Sequence, residues 1–257
     1  ALFALYRFLL RLAAPPGAAA IAVVLFALCP LHADNINWVV GRCDLLMLLF
    51  GVLALLFFDK FLEKRSPATA AISAAFYALA LLSKEAALFF LPMFVLHELI
   101  RRRRLTLAPH LLPLLASAGF WLLKSSVTGR GGFPLQLFPT AAGNIMPALG
   151  SLGYYGRSLA FPFATDMFLP VDAVQSLPWL AAGAATALAL LLAPFSALRS
   201  PGPARDRLLV AWAWIAPFLA GALLMVFTPI YPFSISTRYL AVPAIGWCWL
   251  VACGLAA

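Results

Sequence analysis

A succession of long apolar runs dominates this chain and leaves it few folds to choose from. A helix that crosses the roughly 30 Å hydrocarbon core of a bilayer needs about 20 mainly apolar residues. Such runs occupy 17–32, 44–60, 67–83, 86–100, 105–124, 177–198, 207–228 and 238–257, after a partial run at 1–13 closed by Pro15-Pro16-Gly17. Inside a membrane the backbone has no water to bond with, so each run satisfies itself as a helix and strands are not expected. The reading is an all-α, polytopic transmembrane helix bundle of about eight spans plus a partial first helix. Composition agrees: 64% of the 257 residues are apolar and 11% charged, against roughly 45–50% and 25% in soluble domains, and mean hydropathy is +0.98. These values exclude a cytosolic enzyme, a disordered chain and a nucleic-acid module. Residues 125–176 are the one long connection, and 141–163 within it is apolar enough for an interfacial or re-entrant helix. No internal repeat or low-complexity linker interrupts the chain, so 1–257 reads as a single membrane domain. It begins at an alanine and ends in apolar residues, as expected of a piece of a longer protein.

Charge orients the runs. In one alternating frame, Arg7, Arg11, Lys60, Lys64, Arg65, Arg101 to Arg104, Arg199, Arg205 and Arg207 fall on one side. Arg42, Lys84, Lys124, Arg130, Arg157 and Arg238 fall on the other. The division of 18 Lys and Arg is 12 to 6, although the poorer side owns the longest loop. Cytoplasmic loops carry the excess, so the richer side is assigned to the cytoplasm. The four cysteines have no CxxC spacing and the three histidines no ligand pattern; no cofactor is implied, and carboxylates are too sparse for a divalent-metal cage.

The outer charges differ in kind from the inner ones. Arg101 to Arg104 is a solvated topology signal, whereas the outer cations are single residues at span ends, where ionisable groups are costly and tend to be functional or paired. The connection from Pro30 to Asp44 holds His32, Asp34, Arg42 and Asp44. The Arg42 guanidinium suits bidentate grip of a phosphate, and Asp44 can orient it or cap the helix that follows; a purely structural Arg–Asp pair is the plain alternative. Ser83-Lys84-Glu85 offers a compact cation with Glu85 as its neighbouring counter-ion, or a snorkelling lysine beside a helix-start acid. Thr237-Arg238-Tyr239 taken alone is an interfacial arginine with an aromatic-belt tyrosine. The long loop adds Lys124, Gly129-Arg130-Gly131-Gly132, Arg157, Asp166 and Asp172. Cations beside apolar surface suit a ligand with an anionic head and a lipid tail.

Three of these segments also carry a family likeness. Pro30-Leu31-His32 followed by Val40-Gly41-Arg42-Cys43-Asp44 resembles the His-Pro and Val-Gly-Arg-x-Asp pattern of the transmembrane, tetratricopeptide-repeat-containing O-mannosyltransferases and their bacterial relatives. Leu81-Leu82-Ser83-Lys84-Glu85 resembles that family's Ser-Lys-Glu segment, and Arg238-Tyr239-Leu240-Ala241-Val242-Pro243 its Arg-Tyr-Leu-Tyr-Leu-Pro element. The order is kept across almost the whole chain. Cys29 stands where a histidine is usual, Ala241 where an aromatic is, and no tetratricopeptide repeat is present. The resemblance implies a GT-C type fold and transfer of a sugar from a polyprenyl-phosphate donor to a protein or glycan acceptor. That chemistry would lie on the periplasmic, extracellular or lumenal face of a bacterial inner, plasma or ER membrane.

In the family the catalytic carboxylate lies in the first outer loop. This chain begins in what resembles the second span, so the base is expected upstream of Ala1 and the catalytic residue is unassigned, with Asp34 the candidate within the chain. Arg42, Lys84, Arg238 and Arg157 are the candidates for the donor phosphate, with His32, Asp44, Glu85 and Tyr239 in support. The partners are therefore a polyprenyl-phosphate sugar, an acceptor and the bilayer, with no nucleic acid. The rival classes are a transporter or flippase of a lipid-linked or anionic solute, which would favour repeated halves and mid-span charge, and a non-catalytic polytopic relative.

Overall fold

The computed structural model describes residues 1–12, 14–37, 39–129, 141–163, 169–200, 202–227 and 234–256, with the side chains of 34, 40, 141, 142, 203, 225 and 234 excepted. Among them are eleven α-helices: α1 (Leu2–Arg11), α2 (Pro16–Leu28), α3 (Ala33–Asn37), α4 (Arg42–Lys64), α5 (Pro67–Ser83), α6 (Phe90–Arg102), α7 (Leu111–Thr128), α8 (Ala141–Ala160), α9 (Leu177–Arg199), α10 (Gly202–Val226) and α11 (Pro243–Leu255). The chain divides into two compact units. The first comprises Ala1–Leu28, Asn35–Gly132 and Val251–Ala257; the second comprises Cys29–Asp34 and Phe133–Leu250.

The first unit is built on α4, which packs along α5 and also meets α1 and α6, while α5 meets α7. Phe58 and Phe94 meet edge to face at 4.9 Å between ring centres, and Tyr77 adds a second such contact to Phe94 at 5.3 Å. Polar groups within this core are bonded across helices, as burial requires. The Ser73 hydroxyl donates to the Ala54 carbonyl at 2.8 Å, and Tyr77 Oη lies 2.9 Å from Ser117 Oγ. At Gly51 the Phe90 ring occupies the place a Cβ would take, so glycine is what lets α6 approach α4. Residues Arg65 and Arg103 end α4 and α6 in the left-handed conformation, at φ 53° and 56°, and their amides close back on Phe61 and Leu99.

The second unit packs α8 on α9 and both on α10. The α8–α9 crossing is a close backbone approach: a Cβ on Gly183 would meet the Leu149 carbonyl, and one on Gly153 the Trp179 carbonyl. Small residues at a helix crossing are the usual device of membrane bundles, where packing rather than water exclusion holds helices together. Trp214, Tyr154 and Tyr155 are fully buried here. Leu188, Leu191, Leu192, Phe195 and Leu198 of α9 are all at least half exposed, a patch that belongs in lipid rather than water.

Two expectations need correction. The fold is all-α, but the described residues contain four helices long and apolar enough to cross a membrane, not about eight: Arg42–Lys64, Ala108–Thr128, Leu177–Arg199 and Ala204–Leu224. At 1.5 Å per residue, the 13-residue α2, α6 and α11 reach only about 20 Å. The run at 86–100 loses its first residues to a 3-10 turn, Glu85–Phe89, and the run at 238–257 opens with another, Thr237–Leu240. One strand pair also exists: Leu169–Pro170 lies antiparallel to Ser234–Ile235. It joins two irregular segments of the second unit whose backbone groups have no helix to satisfy them. The protein is an integral membrane protein.

Candidate functional site

Two of the sequence motifs meet within the first unit. Helix α4 starts at Arg42, which places Asp44 in its first turn, and α5 ends at Ser83, which places Lys84 just past its C-terminus. Since α4 and α5 pack along each other, that end of α5 is brought to the head of α4. There the Lys84 ammonium forms an ion pair with the Asp44 carboxylate, although 40 positions separate them. Both side chains are largely withdrawn from solvent, at 15% and 5% exposure. Lys84 has extended backbone, φ −162° and ψ 136°, and this break in the helix is what turns its side chain out of the α5 register.

Two ion pairs define this end of the unit. Asp44 engages Lys84, a partner the sequence did not suggest for it beside Arg42 or the start of the helix; Arg42 itself is exposed while Asp44 is buried. Glu85 Oε2 lies 3.9 Å from Lys124 Nζ, linking the turn after α5 to the last part of α7. Arg42, Asp44, Lys84, Glu85 and Lys124 are thus all carried by the first unit. Asn35, passed over in the sequence, is fully buried there.

The second unit holds the other candidates. His32 is buried in the turn Pro30–His32, which packs on the turn Thr237–Leu240 that carries Arg238. Arg238, 8% exposed, donates from Nη2 to Tyr239 Oη at 3.0 Å and lies 5.0 Å from that ring's centre. Tyr239 is therefore a partner of Arg238 rather than only an interface residue. Arg157 is exposed on α8, with its guanidinium 6.0 Å from the Trp179 ring centre. The Asp34 side chain, Arg130, Gly131, Gly132 and Asp166 lie outside the described residues. Among the described residues no group of three or more His, Cys, Asp or Glu is placed to hold a metal ion.

A further polar cluster went unread in the sequence. About 22 Å along α4 from Asp44 at the helical rise, Asp59 is fully buried and held by three bases. Arg11 Nε donates to it at 2.7 Å and Arg101 Nε at 2.9 Å, while His97 Nε2 lies at 2.9 Å. Arg11 and Arg101 both continue to Glu63, so one network ties α1, α4 and α6 together. Next to it on α6, Glu98 accepts from the Thr106 amide and hydroxyl and faces His110 Nε2 at 2.9 Å. The available signal was the spacing: Asp59 and Glu63, and His97 and Arg101, each stand four apart on a helix. In the sequence both arginines were absorbed into the charge count that set the topology.

Comparison with known proteins bears on this architecture. No curated protein and no solved structure matches the chain. Residues 1–127 match the family described as dolichyl-phosphate-mannose-protein mannosyltransferase, a stretch that includes both the Val-Gly-Arg-x-Asp and the Ser-Lys-Glu motifs. The likeness first read from those motifs is supported: over residues 1–127 this chain is similar to the mannosyltransferases of that family.

Proposed function

We propose that the protein is a membrane glycosyltransferase that takes a sugar from a polyprenyl-phosphate donor and passes it to an acceptor hydroxyl on the outer or lumenal face. The observation that carries this reading is the ion pair of Asp44 with Lys84, which joins two segments of the matched region. In the proposed reaction a carboxylate base takes the proton of the acceptor hydroxyl as its oxygen attacks the anomeric carbon, the bond from that carbon to the phosphate oxygen breaks, and the electron pair leaves with the polyprenyl phosphate. Negative charge grows on that phosphate, and fixed cations in a water-poor setting stabilise it. Arg42 supplies a planar fork for two phosphate oxygens. Lys84 supplies a point charge, and Asp44 positions it. Arg238 is assigned a supporting role in donor use, with Tyr239 fixing its guanidinium and His32 packed nearby.

Donor binding tests the proposal. Polyprenyl-phosphate mannose and a nucleotide-linked mannose are titrated against the purified protein and its Arg42→Ala and Lys84→Ala variants. Binding of the lipid-linked sugar alone, weakened in both variants, is expected. A preference for the nucleotide-linked sugar, or undiminished binding by both variants, contradicts it.

A further inference from the structure

Within the second unit, α8, α9, α10 and α11 enclose an open cavity of about 400 Å³, a volume in the range of small-ligand sites, about 300–1,000 Å³. Its origin is readable in α9. Ala185, Ala189 and Ala193 stand four apart on one face, so three successive turns present methyl groups where larger side chains would fill the space. From α10, residues between Leu208 and Leu219 line the opposite wall, eleven positions or about 16 Å along a helix. Two polar groups of the lining are bonded within their own bundle: Thr186 Oγ1 donates to the Ala182 carbonyl at 2.8 Å, and Trp212 Nε1 to the Leu190 carbonyl at 2.7 Å. The cavity thus offers an occupant hydrocarbon contact and little else.

Charge marks one end of it. Arg199 closes α9 six residues beyond Ala193, and Arg205 and Arg207 lie in the first turns of α10, just before Leu208. Asp206 offsets one of them, at 3.4 Å from Arg205, which leaves this end with a net charge of about two on simple counting of the three arginines and one aspartate. The sequence frame assigns these arginines to the side opposite Arg42 and Lys84, so the proposed donor has no call on them. An elongated apolar slot with a cationic mouth matches one lipid class.

We propose that this slot holds an acyl chain of an anionic phospholipid, whose headgroup phosphate lies at the Arg199, Arg205 and Arg207 end. The site is independent of the sugar-transfer reading. Because no side chain fills the slot, a bound chain also serves as packing between α9 and α10, and removing it lowers the stability of the unit.

The test uses the full protein extracted from phosphatidylcholine bilayers with and without added phosphatidylglycerol, with retained lipid identified by native mass spectrometry. Phosphatidylglycerol is expected to be retained over phosphatidylcholine by about tenfold or more, and to raise the melting temperature. Ala189→Trp, which fills the slot, should abolish retention of both lipids. Should that variant not fold, the triple Arg199→Gln, Arg205→Gln, Arg207→Gln variant, confined to the helix ends, should lose the preference while still binding phosphatidylcholine. Equal retention of the two lipids, or an undiminished preference in the triple variant, overturns the proposal. So does displacement of phosphatidylglycerol by a polyprenyl phosphate, which would make the slot part of the donor site. Loss of a dimer on Ala189→Trp would assign the slot to a second copy of the chain and likewise overturn it.

Discussion

Replacing Lys84 separates what the Asp44 ion pair does for the fold from what it does for the reaction. Asp44 is 4% exposed at the head of α4, so Lys84→Met leaves a carboxylate in a nearly dry site. Breaking one side of a buried pair costs about 3–5 kcal/mol, whereas replacing both partners by apolar or neutral groups of similar size is often near neutral. Two remaining features pull the cost towards the lower end, namely the 15% exposure of the lysine and the favourable position of an acid in a helix's first turn. Lys84→Met should therefore lower unfolding stability by about 3 kcal/mol, and the double variant Asp44→Asn, Lys84→Met should recover most of it. Donor use should not recover. A charge-assisted hydrogen bond to phosphate contributes about 1.5–3 kcal/mol, so transfer from the lipid-linked donor should fall by about 10- to 150-fold in the single and the double variant alike. The assay pairs thermal unfolding in detergent with initial transfer rates in proteoliposomes. If donor use returned together with stability in the double variant, Lys84 would be a structural residue and the phosphate assignment would be refuted.

Arg42→Ala should weaken donor use over the same range while changing the melting temperature little, since the side chain is exposed; Arg104→Ala, in the basic run after α6, should change neither, and initial rates check both. At the Asp59 network, either Arg11→Ala or Arg101→Ala leaves the buried carboxylate one arginine and His97. The two together should therefore destabilise by about 3–5 kcal/mol, more than the single variants add up to, as read in denaturant unfolding. In a cysteine-free background, Ser66→Cys and Ser126→Cys should label from opposite sides of the membrane, because they follow α4 and end α7 in the alternating frame; labelling of both from one side would overturn that frame.

How far the sequence can be read depends on what each pattern measures. Apolar runs report the free energy of leaving water, and they located the helices well: α4, α5, α9 and α10 lie where the runs do. They do not report the backbone hydrogen-bond pattern, which decides how far a helix continues. The turns at Pro30–His32, Glu85–Phe89 and Thr237–Leu240 sit inside or beside apolar runs, and they leave α2, α6 and α11 below spanning length without changing hydropathy. The candidate cations were legible because an isolated charge at a span end is conspicuous. Their partners were not. Lys84 and Glu85 adjoin in the chain, but adjacent side chains leave the backbone in different directions, and helix packing brings Asp44 to Lys84 and Lys124 to Glu85. Asp59 shows the opposite failure: its spacing from Glu63 was visible, yet only the approach of α1 and α6 makes it the hub of a network.

The most direct test of the account is a transfer assay on the protein in proteoliposomes, with labelled mannose supplied as polyprenyl-phosphate mannose and a hydroxyl-bearing peptide pool as acceptor. The account predicts that label moves onto the acceptor in a glycosidic bond while polyprenyl phosphate is released in equal amount. Movement of the intact lipid-linked sugar across the bilayer, with no label on any acceptor, would contradict it and identify a flippase.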